Sequence, residues 1–423
     1  MSKEQKTESI LTSFRVLDLT DAKGFLCGKL LGDLGADVIK IEPPGGDPSR
    51  NIGPFYKDIP DPEKSLYWWA YNTSKLGITL NIESTDGQEI FKRLVKSSDV
   101  VIESFPPGYM DKLGLGYPQL SEVNPGLVMT SITPFGQTGP YKDFKGPDLV
   151  VWSLGGQTYV TGDENRPPCR PSFPQAYLHG GSQAAGATLA ALYYREDSGE
   201  GQYIDVSIQE AVAWTLNTVI QFWDLMQYNI PRSGVGRKVG LAFSRFAYPC
   251  KDGHVGFWVG GGFFAATSMP QMVQWMAEEG ELGFFEPRKD WGVAEWREVD
   301  MWGMPPEELT AQDDTLIKFF AKKTKAEIYE EALKRRMILY PSSTTKDLAE
   351  NIQLKERQFY VKVEHPELSE SITYVGTPYT MTDTPWRISR RAPLIGEHNR
   401  EIYEEELGFS KEEMRFLKES RVI

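Results

Sequence analysis

Hydrophobic and polar positions near the start of the chain predict a strand, a helix and a second strand. The apolar run VLDLT covers residues 16–20, the helical stretch GKLLGDLGA covers 28–36, and the apolar run DVIKIEPP follows at 37–44. Two prolines end the second run, because proline cannot continue a strand ladder. Strands joined through a helix need a crossover connection, so we expect the two strands to lie parallel in one sheet.

The same alternation continues along the first half of the chain. Strands are predicted at 77–80 (GITL), 99–104 (DVVIES) and 127–133 (LVMTSIT), with a helix at 87–95 (GQEIFKRLV). This order is typical of doubly wound, Rossmann-like α/β folds. Ligands of such sheets bind in loops at the carboxyl ends of the strands. We assign three segments to these loops: 21–23, 72–75 and 104–108.

Glycines in the first helix raise dinucleotide binding as an alternative. Gly24, Gly28 and Gly32 precede Glu42, which stands where a ribose-binding acid would be. Their spacing of four residues differs from GxGxxG and favours close helix packing over a pyrophosphate turn.

The stretch from Gly146 to Leu192 joins a proline-rich loop to a helix of small residues. The loop cannot form regular helix because it contains Pro167, Pro168, Pro171 and Pro174. In the helix that follows, Gly180, Gly181 and Gly186 allow another backbone or a ligand to approach closely. For this helix taken alone, tight packing against a neighbour is the simpler interpretation.

The composition of the chain changes after Trp223, where aromatic and charged residues become frequent. A chain of 423 residues exceeds one compact core and indicates two domains. We predict a large α/β domain beginning with residues 1–223, a smaller α+β domain at 224–340, and a segment at 341–423 that returns to the large domain. Helical spacing from Glu307 to Arg335 supports the second domain. The glycines at 260–262 predict either a mobile flap or a buried strand end.

Composition excludes several functions. A net charge of −13 disfavours binding to nucleic acid or to an anionic membrane, because both need clustered lysine and arginine. Cys27, Cys169 and Cys250 form no CxxC pair and indicate a reducing compartment. No apolar run approaches membrane-spanning length, and the N-terminus lacks an apolar signal region. We therefore expect a soluble, cytoplasmic protein.

Seven segments together resemble the class III CoA-transferases, the family of the formyl-CoA and carnitine CoA-transferases. The longest, TGDENRPPCRPSFPQAYLHGGSQAAGATLAAL, resembles the active-site segment of that family without a gap. The others extend toward both ends of the chain: GDLGADVIKIEPPGGDPSR, YNTSKLGITLNI, VIESFPPGYMDKLGLGY, SITPFGQTGPY, GEGQYIDVSIQEA and APLIGEHNREIYEEELGFSKEE. The resemblance implies a dimer of interlocked chains that uses coenzyme A thioesters as substrates and no metal.

The resemblance also implies CoA-binding residues, which match the family pattern one by one. They fall in pairs along the chain: Ala22 and Lys23, Asn72 and Lys75, Ser104 and Phe105, and Lys112 and Leu113. The lysines Lys75 and Lys112 suit CoA phosphates as point charges, and Phe105 suits stacking on adenine. Asp21 stands where the family often has arginine or histidine, which disfavours phosphate contact at that loop.

The reactive position departs from the family. The pattern has a nucleophilic aspartate where this chain has Tyr177. Transfer of CoA between acids needs a carboxylate that attacks the thioester and forms a mixed anhydride. A phenol, with a pKa of roughly 10 against roughly 3.9 for aspartate, is a poorer relay and cannot form an anhydride. Tyr177 therefore does not replace the aspartate in the same mechanism.

Three explanations of Tyr177 stay open. The chain is a subunit whose related partner chain keeps the nucleophile, or another acid reaches the site, with Asp148, Asp163 and Glu164 nearest in sequence. Alternatively, the chain performs other CoA chemistry, such as racemisation, or only binds CoA esters. Pro147 stands where a racemase would have its histidine, and a lone His179 is more often structural.

The first explanation has a specific form. Some class III transferases that use succinyl-CoA and aryl-substituted acids such as benzylsuccinate consist of two different, related chains. The shorter first loop, DAKGFLCGKLLGDLG, is similar to that subgroup. The resemblance implies a heteromer of this chain with a related subunit, or otherwise a homodimer.

Overall fold

A computed structural model describes residues 9–239, 242–259, 262–300 and 303–423. Two units are distinguished by their internal contacts. The first comprises the described residues of Met1–Gly155, Pro171–Thr215 and Ile352–Ile423, and the second those of Gly156–Arg170 and Leu216–Asn351. The domain boundaries predicted after residues 223 and 340 stay predictions.

Strands of both units are numbered along the chain. They are β1 (Arg15–Leu19), β2 (Asp37–Glu42), β3 (Lys75–Thr79), β4 (Val100–Glu103), β5 (Val128–Thr133), β6 (Tyr203–Ser207), β7 (Gly236–Val239), β8 (Ala242–Arg245), β9 (Ala247–Cys250), β10 (Gly253–Phe257), β11 (Leu339–Pro341), β12 (Tyr360–His365) and β13 (Glu370–Val375).

Helices are numbered in the same way. They are α1 (Phe25–Asp33), α2 (Leu66–Tyr71), α3 (Thr85–Val95), α4 (Tyr109–Lys112), α5 (Tyr117–Val123), α6 (Asp148–Leu154), α7 (Gln157–Val160), α8 (Ala176–Ser198), α9 (Ile208–Trp214), α10 (Asn217–Met226), α11 (Gly262–Ala265), α12 (Met269–Glu278), α13 (Val293–Arg297), α14 (Pro306–Phe320), α15 (Lys325–Arg335), α16 (Thr345–Glu350), α17 (Ile352–Glu356) and α18 (Lys411–Glu419). In the part of the chain that the structure describes, no helix is both long enough and apolar enough to cross a bilayer.

A six-stranded sheet organises the first unit, in the order β3-β2-β1-β4-β5-β6. Every neighbouring pair in it is parallel. Alternate residues of β1 enter two different buried clusters: Leu17 packs with Phe91 of α3, and Val16 packs with Leu31 of α1. Both faces of the sheet are therefore covered, and the predicted α/β fold with a parallel sheet is confirmed.

The order of the strands has a consequence for ligand binding. β1 lies between β2 and β4, so the connections on its two sides run in opposite directions along the sheet. In open α/β sheets a crevice forms at this switch point, outside the carboxyl ends of the strands. The loops that follow β1 and β4 meet there.

Glycines let helices pack closely in this unit, as the sequence predicts. A Cβ added at Gly28 of α1 would lie 2.2 Å from Asp18 Oδ2, and one at Gly32 would lie 2.8 Å from the Ser74 carbonyl oxygen. In α8, a Cβ at Gly180 would lie 2.7 Å from Ile208. The thin helix thus serves tight packing, whereas a Cβ at Gly186 would meet open space.

The second unit combines helices with antiparallel strands. β11, β10 and β9 form a sheet in that order, and β7 pairs with β8. The helical spacing of 307–335 corresponds to two helices, α14 and α15, and Thr324 starts the second with a capping box that includes Glu327. Of the predicted glycine flap, residues 260 and 261 lie outside the described residues.

Residues 352–423 belong to the first unit. There the Tyr403 hydroxyl donates a hydrogen bond to the Thr79 carbonyl oxygen at 2.7 Å, and the backbone N–H of Gly77 donates to His398 Nδ1 at 3.0 Å. Both contacts hold this segment against β3.

Candidate functional site

The loops after β1 and β4 are joined by direct hydrogen bonds. The backbone N–H of Asp21 donates to Ser104 Oγ at 2.8 Å, and Ser104 Oγ donates to Asp21 Oδ1 at 2.9 Å. Lys23 Nζ pairs with the Asp21 carboxylate. The structure therefore brings together Lys23, Ser104 and Phe105, which sequence analysis assigned to separate loops.

Phe105 already carries an aromatic neighbour. Its ring stacks on Tyr109 with centroids 4.6 Å apart and an angle of 28° between the planes. Its backbone N–H donates to Glu103 Oε2 at 2.7 Å, which fixes the turn after β4. Phe105 lines two cavities, of about 560 Å³ and about 410 Å³, and Ser104 lines both as well.

Asn72 and Lys75 lie elsewhere than predicted. Asn72 directly follows α2 and Lys75 begins β3, so both lie at the amino end of that strand, and assigning them to a carboxyl-end loop was wrong. Both side chains are fully buried, and Lys75 Nζ donates to Asp18 Oδ2 (2.7 Å), Asn72 Oδ1 (2.8 Å) and the Phe25 carbonyl oxygen (3.0 Å). These three acceptors use all three ammonium protons. Neither side chain is placed to contact a CoA phosphate.

Asp18 is shared by two buried lysines. Lys40 Nζ lies 3.6 Å from Asp18 Oδ1 and donates to the Thr20 carbonyl oxygen. Burial alone would raise the pKa of Asp18, but Lys75 and Lys40 hold that pKa below its ordinary value. Because Thr20 leads directly into the Asp21–Lys23 loop, this network fixes the loop from beneath.

The remaining predicted CoA-binding residues differ in exposure. Ala22 is half-buried and packs in an apolar cluster with Phe25 and Trp68. Lys112 is exposed at the end of α4, and the half-buried Leu113 packs against the buried cluster that includes Phe91. Their contacts with CoA stay predictions.

Tyr177 is the second residue of α8, a helix of 23 residues. Its hydroxyl donates to the Gly146 carbonyl oxygen at 3.2 Å. Burial, with the nearby carboxylates of Asp21 and Asp148, raises the pKa of Tyr177 to about 12. The phenol lines the 410 Å³ cavity together with Lys23, Ser104 and Phe105. The phenol is therefore protonated at neutral pH.

Asp148 is the alternative acid that reaches the start of α8. Its Oδ1 accepts the backbone N–H of Gln175 at 3.3 Å, and its Oδ2 accepts that of Tyr177 at 3.1 Å. A carboxylate in this position caps the helix and complements its dipole. Asp163 and Glu164 belong to the second unit.

His179 has a packing role, in line with the structural interpretation of this residue. Its ring lies against Trp152, with centroids 5.7 Å apart, and burial lowers its pKa.

Several charged residues that line cavities of the first unit were not predicted from the sequence. Lys142 and Lys145 line the cavity beside Tyr177, and Arg421 lines the 560 Å³ cavity. Glu103 lines a third cavity, of about 450 Å³, and burial raises its pKa from 4.5 to about 7. A signal existed for the lysines, since they follow β5 in a Gly/Pro-rich loop at a carboxyl strand end. Among the described residues, no group of three His, Cys, Asp or Glu side chains is arranged to hold a metal ion.

Comparison with known proteins agrees with this geometry. A family model described as CoA-transferase family III matches residues 11–399. The succinyl-CoA:(R)-benzylsuccinate CoA-transferase subunit BbsE of Thauera aromatica is 37% identical and aligns over 92% of this chain and 92% of its own length. The formyl-CoA:oxalate CoA-transferase of Streptomyces avermitilis is 34% identical, over 98% of this chain and 99% of its own.

A solved structure is similar throughout. The crystal structure of a CaiB/BaiF family protein from Brucella suis superimposes with a TM-score of 0.80 at 27% identity, covering 94% of this chain and 99% of that one. Since the family match, the relatives and the fold all extend over nearly the whole length, the chain belongs to CoA-transferase family III.

Proposed function

We propose that this chain is a subunit of a class III CoA-transferase that moves CoA from succinyl-CoA to a carboxylic acid. The acid we propose is an aryl-substituted dicarboxylate such as benzylsuccinate, because the Thauera aromatica relative carries that reaction in its name. In this proposal the chain supplies surface for CoA, and a related subunit supplies the carboxylate that accepts the acyl group.

The observation that carries the proposal is the phenol of Tyr177 at the start of α8. A mixed anhydride requires a carboxylate, and Tyr177 has a pKa of about 12 beside two carboxylates that disfavour its ionisation. Asp148, whose carboxylate reaches the start of α8, has each carboxylate oxygen engaged by a backbone N–H. These two hydrogen bonds stabilise the ionised carboxylate and make it a weaker nucleophile, which supports the supply of the reactive acid by another chain.

The surroundings of Tyr177 support an anionic ligand. Lys23, Lys142 and Lys145 line the same cavity of about 410 Å³, whereas the chain as a whole carries a net charge of −13. A local excess of ammonium groups attracts carboxylates and phosphates. We include Ala22, Lys112 and Leu113 in the CoA-binding surface on the family resemblance alone. Asn72 and Lys75 contribute through the buried network under the first loop.

A partner chain is part of the proposal. None of the residues of α10 is buried in the single chain, although the helix presents Ile220, Trp223 and Leu225, which are 55%, 49% and 79% exposed. Large apolar side chains grouped on one helix favour coverage by another chain. The partner we propose is the related subunit, or otherwise a second copy, in an interlocked dimer. The unpaired Cys27, Cys169 and Cys250 agree with a cytoplasmic location.

The test combines this chain with a related subunit that has aspartate at the Tyr177 position. Transfer from succinyl-CoA to benzylsuccinate is measured for each chain alone and for the pair. We expect turnover from the pair and none from this chain alone. Hydroxylamine should trap an acyl group on the aspartate of the partner, and Tyr177→Phe in this chain should leave kcat of the pair within about two-fold, because the phenol takes no part in the chemistry.

Two outcomes would contradict the proposal. Full turnover by the isolated chain, abolished by Asp148→Asn, would assign the acid to Asp148 instead. Binding of acyl-CoA without turnover in any combination would indicate a CoA-ester binding protein.

A further inference from the structure

The 560 Å³ cavity lies at the carboxyl ends of β1, β2 and β3, on one side of the Ser104–Phe105 turn. Its size is typical of small-molecule sites. Leu19, Ile41 and Leu80 form an apolar part of its wall, and the stacked rings of Phe105 and Tyr109 form another. Because Ser104 and Phe105 also line the cavity beside Tyr177, one elongated ligand can occupy both cavities.

The carboxylates that line this cavity are already engaged. Glu42 forms a two-pronged ion pair with Arg50, at 2.6 Å and 2.7 Å, and Asp21 pairs with Lys23. Glu83 accepts the Tyr109 hydroxyl at 2.7 Å. Asp47, which also lines the cavity, accepts the backbone N–H of Ser49 at 2.7 Å. Each carboxylate thus has a donor within the protein.

Arg421 lines the same cavity and is held there by its neighbours. Val422 and Ile423 are buried in the core, at 3% and 8% exposure, and the backbone N–H of Asn81 donates to the Val422 carbonyl oxygen at 2.7 Å. The backbone of Arg421 adopts the left-handed conformation, with φ of 57°. Its side chain is exposed, and within the described residues no hydrogen bond or ion pair joins the guanidinium to another group.

This combination is unusual for an arginine. The backbone of Arg421 is fixed by buried neighbours, while all five guanidinium N–H donors stay available beside four carboxylates that have other partners. A guanidinium in this state matches the oxygens of a phosphate in a two-pronged, charge-assisted contact.

We propose that Arg421 binds a phosphate of CoA in this cavity, while the thioester end of the molecule reaches Tyr177 across Ser104 and Phe105. This inference rests on the proposed function, since it takes the ligand to be CoA. It adds a binding residue from the Arg421–Ile423 segment, which sequence analysis did not assign to the site.

The experiment measures binding of CoA, 3′-dephospho-CoA and pantetheine by calorimetry to the full chain. The variants are Arg421→Ala and Arg421→Lys. Arg415→Ala is the matched control, because Arg415 is an exposed arginine of α18 whose only ion-pair partner among the described residues is Glu419. We expect Arg421→Ala to weaken CoA binding at least about ten-fold and Arg421→Lys to weaken it less. Pantetheine binding should be the same in all variants.

The two phosphorylated ligands identify the phosphate. If Arg421→Ala removes the difference between CoA and 3′-dephospho-CoA, Arg421 binds the 3′-phosphate; if both weaken equally, it binds the pyrophosphate, and either result supports the inference. Unchanged CoA binding by Arg421→Ala would overturn the inference and leave the proposed function intact. Failure of the unsubstituted chain to bind CoA would overturn both. An unchanged midpoint of thermal unfolding confirms that the variants are folded.

Discussion

Replacement of Glu103 by glutamine tests how the turn after β4 is built. Glu103 ends β4 with 3% exposure, and its Oε2 accepts the backbone N–H of Phe105 at 2.7 Å. Burial raises the pKa of this carboxyl from 4.5 to about 7, although Ser131 and the Phe105 N–H favour its ionised form. The turn that carries Ser104 and Phe105 therefore rests on a carboxyl group that titrates near neutral pH.

The sign and size of the effect follow from the pKa. Between pH 4.5 and about 7 the folded chain keeps a proton on Glu103 that the unfolded chain has lost, so the free energy of unfolding falls as the pH rises through this range. Each pH unit between the two pKa values corresponds to about 1.4 kcal/mol, so the free energy of unfolding falls by about 3 kcal/mol between pH 4.5 and about 7. Glu103→Gln removes the titration and keeps an oxygen for the Phe105 N–H. The variant should therefore match the unsubstituted chain near pH 5 and exceed its stability by about 2–3 kcal/mol above pH 7.

The assay is urea unfolding followed by circular dichroism at several values between pH 5 and pH 8. Glu122→Gln is the matched control for the loss of a carboxylate, since Glu122 is exposed on α5. An equal difference in stability between Glu103→Gln and the unsubstituted chain at both ends of this range would refute a raised pKa for Glu103.

Four further substitutions, two of them combined in a double variant, test the packing of the first unit. Gly28→Ala should lower the free energy of unfolding by about 3 kcal/mol, because the new Cβ would lie 2.2 Å from the buried Asp18 carboxylate. Gly186→Ala places its Cβ in open space and should raise the free energy of unfolding by up to about 1 kcal/mol. Urea unfolding measures both effects. Arg50→Met should cost about 3–5 kcal/mol by leaving the buried Glu42 carboxylate without its partner, and the double variant Arg50→Met/Glu42→Leu should recover much of that loss in the same measurement.

Local patterns were sufficient to predict most of the sheet. Short apolar runs in the sequence correctly predicted β1, β2, β4 and β5. Such runs are expected because a strand that is buried on both faces needs apolar side chains at successive positions. The strand β6 was missed, since Tyr203 and Asp205 interrupt the apolar run and the strand lies at the edge of the sheet. The edge position of β6 is a property of the whole fold and cannot be recognised from its five residues alone.

The candidate site was predictable only where a loop directly follows a strand. Ser104 and Phe105 meet Lys23 because β1 and β4 are neighbours, which the chain order alone does not show. Lys75 was predicted to bind a CoA phosphate, but it forms a buried ion pair with Asp18, and such a pair depends on two residues far apart in sequence. Arg421 was missed for the same reason, since its place at the cavity follows from the packing of Val422 and Ile423.

The position of Tyr177 explains how the scaffold can persist without a carboxylate there. The start of α8 is stabilised by the Asp148 carboxylate, which accepts the backbone N–H groups of Gln175 and Tyr177, and not by the side chain of residue 177. The phenol adds a hydrogen bond to the Gly146 carbonyl oxygen, and its ring packs against the buried cluster that includes Leu31. The start of α8 therefore does not depend on a carboxylate at residue 177. The helix, the loops and the cavities beside them can keep their geometry while the acid that performs the chemistry is supplied, in our proposal, by a related chain.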